Sequence, residues 1–424
     1  MHDLRMVREN IDALRAGLGR RGALDALSPT LDRAISLDKA RRETIQAVEE
    51  RKAARNAVSQ QVGERKRAGQ SADDLQQQSR DLGDEIARLD RELAETEGQL
   101  SAILLELPNI TLDQVPAGGE ESNSTVRIWG TPREGARVTP HWEIGTRLGL
   151  IDFERGAKIS GSGFIVFRGA GARLVRSLMN LMLDVHTSEH GYEETWVPVV
   201  VNRASMTGTA QLPKFEDDMY ALKDGDAFLI PTAEVPLTNL YRDEVLAESD
   251  LPKGFAAYSP CFRREAGAAG KDTRGLLRVH EFDKVELVRY VTPESSADQL
   301  ELLTNHAEKI LQLLELPYRV VRLASGDTGF ASAHTYDLEA YAPGVGKWLE
   351  VSSCSNFTDF QARRANIRYK PAGGGKPRFI HTLNGSGLAF PRVIASILEH
   401  HQQEDGSVLV PAALSTYLGA ERLS

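Results

Sequence analysis

Two arginines of this 424-residue chain stand where phosphate chemistry could take place. Arg263 is predicted on a strand that leads into the glycine-rich loop AGAAGKDTRG, and a second strand is predicted after that loop. Arg392 lies at the predicted start of the helical run VIASILEHH, where backbone N–H groups also favour anions. A guanidinium matches paired phosphate oxygens and keeps its charge near neutral pH. Both positions therefore suit a phosphate ligand.

A third segment, Glu350-Val351-Ser352-Ser353, combines a carboxylate with hydroxyls at a predicted strand end. Oxygen ligands of this kind suit Mg²⁺ held against phosphate oxygens. Each of the three segments also has a purely structural interpretation, because exposed hairpin loops, helix starts and solvated strand ends are common. Their occurrence in this order along one chain is what points to chemistry.

The elements that position these residues begin after a linker rich in proline and glycine, residues 108–125. One amphipathic helix is predicted over residues 174–190. Strands are predicted at residues 163–167, 194–198, 227–230, 284–291, 318–323, 347–352 and 379–382. Because helices fall between these strands at irregular intervals, we predict an α+β domain, residues 126–424, built on an antiparallel β-sheet flanked by helices.

The first 107 residues have a different pattern, and residues 28–107 in particular predict a two-helix hairpin. Apolar residues recur at spacings of three, four and seven at Leu75, Leu82, Ile86, Leu89, Leu93, Leu100 and Leu104. This seam, with a sparser stripe before Gly69, predicts an antiparallel coiled-coil arm about 55 Å long. Ser71 and Asp74 resemble a capping box that opens the second helix.

Charge separates the two arm helices. Residues 31–67 carry ten basic against six acidic residues, and residues 73–106 carry three against ten, so the two helices should attract each other. The basic run Arg65-Lys66-Arg67 near the tip is a candidate phosphate contact. The segment alone favours a dimerisation coiled coil or a spacer, and a triplet of charges is usually a solvated surface.

Composition excludes several classes of protein. The formal net charge of −9 has the wrong sign for a protein that coats nucleic acid indiscriminately. Any RNA must therefore bind to local basic patches. With only Cys261 and Cys354 and no Cys/His cluster, no zinc site is expected. The sequence contains neither a membrane-length apolar stretch nor an apolar leader, so we expect a cytoplasmic protein without membrane contact.

The three segments resemble, in order, the signature motifs of class II aminoacyl-tRNA synthetases, and the long flanking matches resemble the seryl-tRNA synthetases of bacterial type. Motif one corresponds to the helix after Gly171 and the strand ending at Pro198, motif two to residues 262–286, and motif three to residues 384–399. Further similar stretches are PTAE from Pro231 and SSCSNFTDFQARR from Ser352. The resemblance covers the whole chain, including the arm.

The resemblance implies a ligase that activates L-serine with Mg²⁺-bound ATP and transfers it to tRNA(Ser), and also to tRNA(Sec) where the host possesses that tRNA. Arg263 would bridge the serine carboxylate and the α-phosphate, and Arg392 would hold the γ-phosphate. Glu350 and Ser353 would ligate Mg²⁺. The other residues that the resemblance assigns to ATP are Arg264, Glu265, Val279, Phe282, Val351 and Ser352.

For serine itself, the resemblance implies a pocket of hydrogen-bonding groups formed by Thr232, Ala233, Glu234, Arg263, Glu286 and Ser386. It also implies a homodimer, with residues 1–107 as the tRNA-binding domain that contacts tRNA through Arg65, Lys66 and Arg67. The chain departs from the commonest family spelling at Arg264, at residues 279–281 and at residues 390–391. These departures bear on the fine geometry of the adenine pocket, and none removes a catalytic group.

Two alternatives remain at this point. A carrier-protein ligase on the same catalytic fold would activate an amino acid and load it on a protein, but such relatives lack the arm and use metal ligands that this chain does not supply. A non-catalytic RNA-binding paralogue would keep the arm alone, which the joint presence of Arg263, Glu286 and Arg392 argues against. Serine-dependent pyrophosphate exchange would exclude the paralogue, and tRNA charging would exclude the carrier ligase.

Overall fold

A computed structural model describes residues 1–135, 138–223, 225–266 and 274–424 of the chain. The described chain divides into two compact units, Met1–Pro108 and Asn109–Ser424. Within these residues no helix is long and apolar enough to cross a membrane.

The first unit is helical. Its helices are α1 (Leu4–Glu9), α2 (Ile11–Arg20), α3 (Leu24–Arg67) and α4 (Asp73–Glu106). The predicted coiled-coil hairpin is confirmed, because α3 and α4 pack along each other and bury their apolar seam. On α4 the buried seam residues are Leu75, Ile86, Leu89, Leu100, Ile103 and Leu104.

The opposite charges of α3 and α4 meet as ion pairs across the hairpin. These pairs are Arg41–Glu97 at 2.8 Å, Arg51–Glu85 at 2.8 Å, Lys52–Asp90 at 3.8 Å and Arg65–Asp74 at 2.7 Å. The predicted capping box is wrong. Ala72 and not Ser71 occupies the N-cap position of α4, with no side-chain cap, and the Asp74 carboxylate accepts two hydrogen bonds from Arg65.

The second unit is built around one eight-stranded sheet. Its strands, in spatial order, are β1 (Ser124–Trp129), β10 (Tyr318–Arg322), β11 (His334–Ala342), β12 (Lys347–Asn356), β15 (His381–Ala389), β9 (Glu281–Val291), β8 (Lys253–Phe262) and β4 (Glu193–Glu194). Neighbouring strands pair antiparallel, except that β4 runs parallel to β8. This arrangement confirms the predicted α+β class with an antiparallel sheet.

Short strands outside this sheet complete the unit. They are β2 (Ile151–Asp152), β3 (Val166–Phe167), β5 (Val200–Asn202), β6 (Ala227–Leu229), β7 (Val245–Ala247), β13 (Arg368–Lys370), β14 (Arg378–Phe379), β16 (Val408–Leu409) and β17 (Arg422–Leu423). They form small sheets of two or three strands.

Helices of the second unit cover the sheet. They are α5 (His141–Arg147), α6 (Phe153–Ser160), α7 (Ala170–Ser188), α8 (Arg203–Gly208), α9 (Glu234–Thr238), α10 (Ser296–Leu313), α11 (Phe360–Ala365), α12 (Phe390–His400) and α13 (Ala412–Leu418). The main apolar core lies between the large sheet and α7, α10 and α12. Its members on the sheet include Val285, Leu287 and Leu388, all fully buried.

Two predicted strands are shorter in the structure. Of residues 163–167 only Val166–Phe167 forms a strand, because Gly163 has a left-handed backbone (φ +84°). Of residues 194–198 only Glu194 belongs to a strand, although Thr195 N still donates to Ala256 O at 2.8 Å. The Trp196 side chain that follows is 79% exposed.

Candidate active site

A cavity of about 110 Å³ opens on the face of the large sheet where β9, β12 and β15 run side by side. Eight of the residues assigned from the sequence line it, namely Arg263, Glu265, Val279, Phe282, Glu350, Val351, Ser386 and Arg392. Segments 130 residues apart in the sequence thus meet at one place. Since the enclosed volume is smaller than that of most ligand sites, a nucleotide bound here would remain partly exposed.

Arg263 lies one residue beyond the end of β8, and not within the strand as predicted. Its backbone still continues the ladder, because Arg263 N donates to His280 O at 2.9 Å. The guanidinium is held by Pro231 O, which accepts from Nε at 3.3 Å, and it lies over the Phe282 ring at 5.0 Å from the centroid. These contacts leave the two Nη groups available to a ligand.

The next two residues point in different directions. Arg264 is exposed, and its backbone N donates to Asp218 O at 3.0 Å. Glu265 takes a left-handed backbone conformation (φ +51°), and its carboxylate accepts from Arg278 Nη1 at 2.8 Å. Glu265 therefore lines the cavity whereas Arg264 faces solvent. The glycine-rich part of motif two, residues 267–273, lies outside the described residues.

Arg392 is the third residue of α12, as the sequence predicted. Its Nε donates to Leu277 O at 3.2 Å, and its Nη1 donates to Glu350 O at 2.8 Å. The Glu350 carboxylate lies 3.5 Å from the same Nη1. Two backbone carbonyls thus orient this guanidinium toward the cavity.

A β-bulge sets the arrangement of residues 350–353, which lie in the middle of β12 and not at a strand end as predicted. Leu338 pairs with Ser352 and Glu339 with Glu350, so Val351 is the extra residue. Val351 and Ser352 are both buried, while Glu350 is exposed and Ser353 half-buried. In a regular strand residues three apart face opposite sides, whereas the bulge places Glu350 and Ser353 on one face.

The Ser353 hydroxyl is hydrogen-bonded to the carboxyl of Asp337, its partner on β11. Burial, followed by the charge of Glu350, raises the pKa of Asp337 well above its usual value. Ser352 instead donates from its hydroxyl to Ser386 O at 2.7 Å. Of the two serines, only Ser353 lies on the face of β12 that carries Glu350.

Glu350 and Ser353 fit a magnesium ion that is bound mainly by a nucleotide. Mg²⁺ usually keeps several waters and takes only one or two protein ligands beside substrate phosphates. A carboxylate and a hydroxyl on one strand face, next to Arg392, supply that donor set. Among the described residues no group of three or more His, Cys, Asp or Glu side chains could hold a metal ion by itself.

A buried polar cluster lies beside the cavity. The Thr232 hydroxyl donates to Glu286 Oε2 at 2.9 Å and accepts from Lys284 Nζ at 2.8 Å, while Lys284 also forms an ion pair with Glu286. Glu286 is fully buried, and Thr232 and Lys284 are 5% exposed. These groups share one face of the sheet because Lys284 and Glu286 are two residues apart on β9.

Glu234 extends this cluster from the start of α9, directly after the fully buried Ala233. One of its carboxylate oxygens accepts from Gln361 Nε2 at 2.6 Å and the other from Asn384 Nδ2 at 2.9 Å. Burial, followed by the nearby charge of Glu286, raises the pKa of Glu234 to about 7. The cluster therefore contains two carboxyl groups but a single buried cation, Lys284.

Lys284, Gln361, Asn384 and Asp337 belong to the site but were not among the predicted site residues. Lys284 could have been found, because it lies two residues from the assigned Glu286 on a predicted strand. Asn384 lies in the motif three segment, beyond the predicted strand 379–382, and only the observed β15 places it two residues from Ser386 on a strand. Gln361 and Asp337 gave no comparable signal, since the fold alone brings α11 and β11 to this site.

The basic run of the arm lies at the end of α3. Arg65 is bound by Asp74, with Nη1 at 2.7 and 2.8 Å from the two carboxylate oxygens. Lys66 and Arg67 are exposed. Of the three predicted tRNA contacts, Arg65 is therefore engaged within the hairpin.

Comparison with known families matches both units. Residues 1–111 match the family described as seryl-tRNA synthetase N-terminal domain, and residues 214–401 match the tRNA synthetase class II core domain (G, H, P, S and T).

Individual relatives are similar over their full length. The chain is 64% identical to the serine–tRNA ligase of Gemmatimonas aurantiaca and 54% identical to that of Geobacillus kaustophilus, with 99% of each chain covered. It is also similar to the crystal structure of seryl-tRNA synthetase from Pyrococcus horikoshii complexed with ATP. That likeness has a TM-score of 0.94 and 38% identity, and it covers 100% of this chain and 99% of the other.

Proposed function

Because the chain belongs to the seryl-tRNA synthetase family, ATP-dependent ligases that attach serine to tRNA, we propose that the cavity above β9, β12 and β15 is where serine and ATP react. One observation carries this assignment. Arg263 and Arg392 face a single cavity beside a fully buried, hydroxyl-linked carboxylate, Glu286. Two guanidinium groups suit a triphosphate, and the buried polar cluster suits a small polar amino acid.

The reaction follows from these groups. A serine carboxylate oxygen attacks the α-phosphorus of ATP, and the bond from that phosphorus to the β-phosphate oxygen breaks. The products are seryl-adenylate and pyrophosphate. Arg263, at the boundary between the cavity and the polar cluster, would neutralise the negative charge that builds on the α-phosphate. Arg392, held by two backbone carbonyls, would bind the γ-phosphate without having to reorganise.

The nucleotide base would lie against Phe282. The Glu265 carboxylate, which Arg278 fixes, would accept from the adenine amino group, and the backbone near Val279 would complete the recognition of the base. Glu350 and Ser353 would hold Mg²⁺, which supplies charge neutralisation for the leaving pyrophosphate. The neutralising groups thus lie on both sides of the reacting α-phosphate.

Serine would bind in the cluster of Thr232, Ala233, Glu234, Glu286 and Ser386. Its ammonium is a cation, and the cluster offers two carboxyl groups against one buried lysine. Its hydroxyl would be hydrogen-bonded inside a pocket whose polar groups are left unpaired when alanine or glycine binds. Such a pocket can discriminate by roughly 10⁴ to 10⁵ against analogues that lack the hydroxyl.

In the second step a ribose hydroxyl at the 3′ end of tRNA attacks the seryl carbonyl and AMP leaves. The arm α3–α4 would select tRNA(Ser), and tRNA(Sec) where the host has it, through its exposed basic residues. The protein would act as a cytoplasmic homodimer whose interface includes α7 and the segment that ends at Pro198. The exposed Trp196 supports an interface there.

Two assays on the full chain test the proposal. Serine-dependent exchange of pyrophosphate into ATP should occur without tRNA, since every proposed group for activation lies in the second unit. Serine should then be transferred to purified tRNA(Ser) but not to a carrier protein. Exchange that depends on another amino acid would refute the proposed site, and so would a complete lack of exchange.

A further inference from the structure

His141 and Glu399 form a fully buried pair to which the proposed reaction gives no role. His141 Nδ1 lies 2.6 Å from Glu399 Oε1, which also accepts from the His141 backbone N at 2.9 Å. The other oxygen, Oε2, accepts from the backbone N of Gly344 at 2.7 Å and of Val345 at 3.1 Å. The Glu399 carboxylate therefore joins α5, α12 and the turn between β11 and β12.

The partners of His141 define its tautomer. Nδ1 faces a carboxylate oxygen, so it must carry the proton and donate. Nε2 lies 3.0 Å from the backbone N of Leu276, which is a donor, so Nε2 must accept. The imidazole is thus neutral, and it transmits the position of Glu399 to the backbone of Leu276.

That backbone orients the arginine that would bind ATP. Leu277, the residue after Leu276, accepts from Arg392 Nε through its carbonyl at 3.2 Å. Arg392 and Glu399 are seven residues apart on α12, which is two helical turns, so they lie on the same side of the helix. The contacts close a ring from Glu399 through His141, Leu276 and Leu277 to Arg392.

The closed set of contacts from Glu399 to Arg392 has little free space around it. A Cβ on Gly275, whose φ is +67°, would lie 2.3 Å from His141 Nε2, and a Cβ on Gly344 would lie 2.9 Å from Glu399 Cδ. Only glycine allows either backbone to approach so closely. Any shift of the imidazole is therefore passed on to the segment 276–279, which lines the cavity up to Val279.

We infer that His141 is a positioning residue for ATP binding, because the hydrogen bond that its Nε2 accepts from Leu276 N fixes the backbone that orients Arg392 and presents Val279. The inference deepens the proposed function and rests on it. The competing interpretation is that the pair only stabilises the fold. In that case its loss would lower thermal stability and affect serine and ATP alike.

Two amide substitutions separate the two side-chain hydrogen bonds of His141. In H141N the side-chain amide N replaces Nδ1 and can still donate to Glu399, but nothing accepts from Leu276 N. In H141Q the side-chain oxygen can reach the position of Nε2 and accept from Leu276 N, whereas the donor to Glu399 is lost. The two variants differ in which bond remains, and both remove the aromatic ring.

Pyrophosphate exchange measured over ranges of ATP and serine gives the result. We expect H141N to raise KM for ATP about five- to tenfold, the equivalent of one lost hydrogen bond, with KM for serine unchanged. H141Q should keep KM for ATP within about twofold of the parent value. Equal changes in the two KM values, or an ATP defect in H141Q as large as that in H141N, would overturn the inference.

Two further variants complete the design. R392A should raise KM for ATP strongly. If it does not, the proposed ATP site itself is wrong. If R392A raises KM for ATP but H141N does not, only the inference about His141 is rejected. Should H141N fail to unfold cooperatively, G275A tests the same ring, because its methyl group must displace an intact imidazole. An unchanged KM for ATP in a folded G275A would overturn the inference.

Discussion

The carboxylates of Glu234 and Glu286 accept hydrogen bonds from one side-chain amide, that of Asn384, at 2.9 and 3.1 Å. Lys284 forms an ion pair with Glu286, so Glu234 has a neighbouring negative charge, and the charges of Lys284 and Arg263 offset its effect only in part. Burial and this repulsion together raise the pKa of Glu234 to about 7. A bound serine ammonium would supply the missing positive charge.

The first prediction concerns serine affinity and pH. Serine should bind the ionised form of Glu234, so KM for serine should rise as the pH falls through 7. With a pKa of about 7, about half of the Glu234 carboxyls are ionised at pH 7 and about one in eleven at pH 6, so KM should increase about fivefold between pH 7 and pH 6. The measurement is serine-dependent pyrophosphate exchange between pH 6 and 8.5, with KM for ATP as the internal control.

The stability of the protein gives an independent check on the same carboxyl. Its pKa is higher in the folded state, so between pH 4.5 and 7 the folded state binds more protons than the unfolded state. The free energy of unfolding should therefore decrease as the pH rises through this window, by about 3 kcal/mol for this buried group. Glu234→Gln should flatten that part of the profile. If the slope is unchanged in the variant, Glu234 titrates near its ordinary pKa.

The second prediction compares two adjacent arginines. Arg263→Ala should reduce pyrophosphate exchange by roughly 10² to 10³ in rate, because it removes a charge-assisted contact that strengthens in the transition state. Arg264→Ala removes the same charge from the exposed neighbour and should change the rate by less than about threefold. Circular dichroism and thermal unfolding should show that both variants are folded. Comparable losses in both variants would contradict the role of Arg263.

Local patterns were sufficient for much of this architecture. The heptad seam of α4 and the opposite charges of the two arm helices predict the hairpin, because those signals depend only on sequence spacing. The start of α12 at motif three was predicted for the same reason. The order of motifs, through resemblance, then indicated which residues should meet in the cavity.

Features that depend on pairing between distant segments could not be predicted. The bulge at Val351 arises where the pairing register of β11 and β12 shifts by one residue. This shift places Glu350 and Ser353 on one face of β12. The predicted capping box of α4 is absent because Ala72 and not Ser71 takes the N-cap position, and Arg65 on the preceding helix binds the Asp74 carboxylate. His141 is 135 residues from Leu276, and no local pattern connects them.

The third prediction is the homodimer. Sedimentation at micromolar concentration should give roughly twice the chain mass of 46.6 kDa. The exposed Trp196 follows directly after β4, in the segment that the resemblance assigns to the interface, and burying so large an aromatic ring would favour association. Trp196→Arg should shift the equilibrium toward monomer, whereas Leu240→Arg, at another exposed apolar residue, should not. A fully active monomer would contradict the prediction.

The last prediction separates tRNA selection from serine activation by removing the arm. Serine tRNAs share a long variable arm but not one anticodon, so a protein must recognise them by shape and backbone. Double-helical RNA presents phosphates and riboses more readily than base edges, which suits a helical hairpin with exposed basic residues. Replacing residues 31–106 by a short Gly/Ser linker should leave serine-dependent pyrophosphate exchange nearly intact, because every proposed activation residue lies in the second unit, Asn109–Ser424. Charging of tRNA should fall by orders of magnitude, and normal charging by this variant would reduce the arm to a spacer.

The basic run at the tip gives a finer version of this test. Because Arg65 is engaged with Asp74, Lys66 and Arg67 are the residues that face solvent and could contact phosphates. Reversing both to glutamate should weaken tRNA binding and flatten its salt dependence, since each lost phosphate contact removes about 0.7 to 0.9 from the log–log slope. The matched control reverses Arg80 and Arg91, two exposed arginines of the acidic helix α4, which changes the net charge equally. Affinity for tRNA is measured for both double variants at several salt concentrations. Equal slopes would mean that only overall charge matters, whereas a shallower slope for the Lys66 and Arg67 variant alone would support phosphate contacts at the tip.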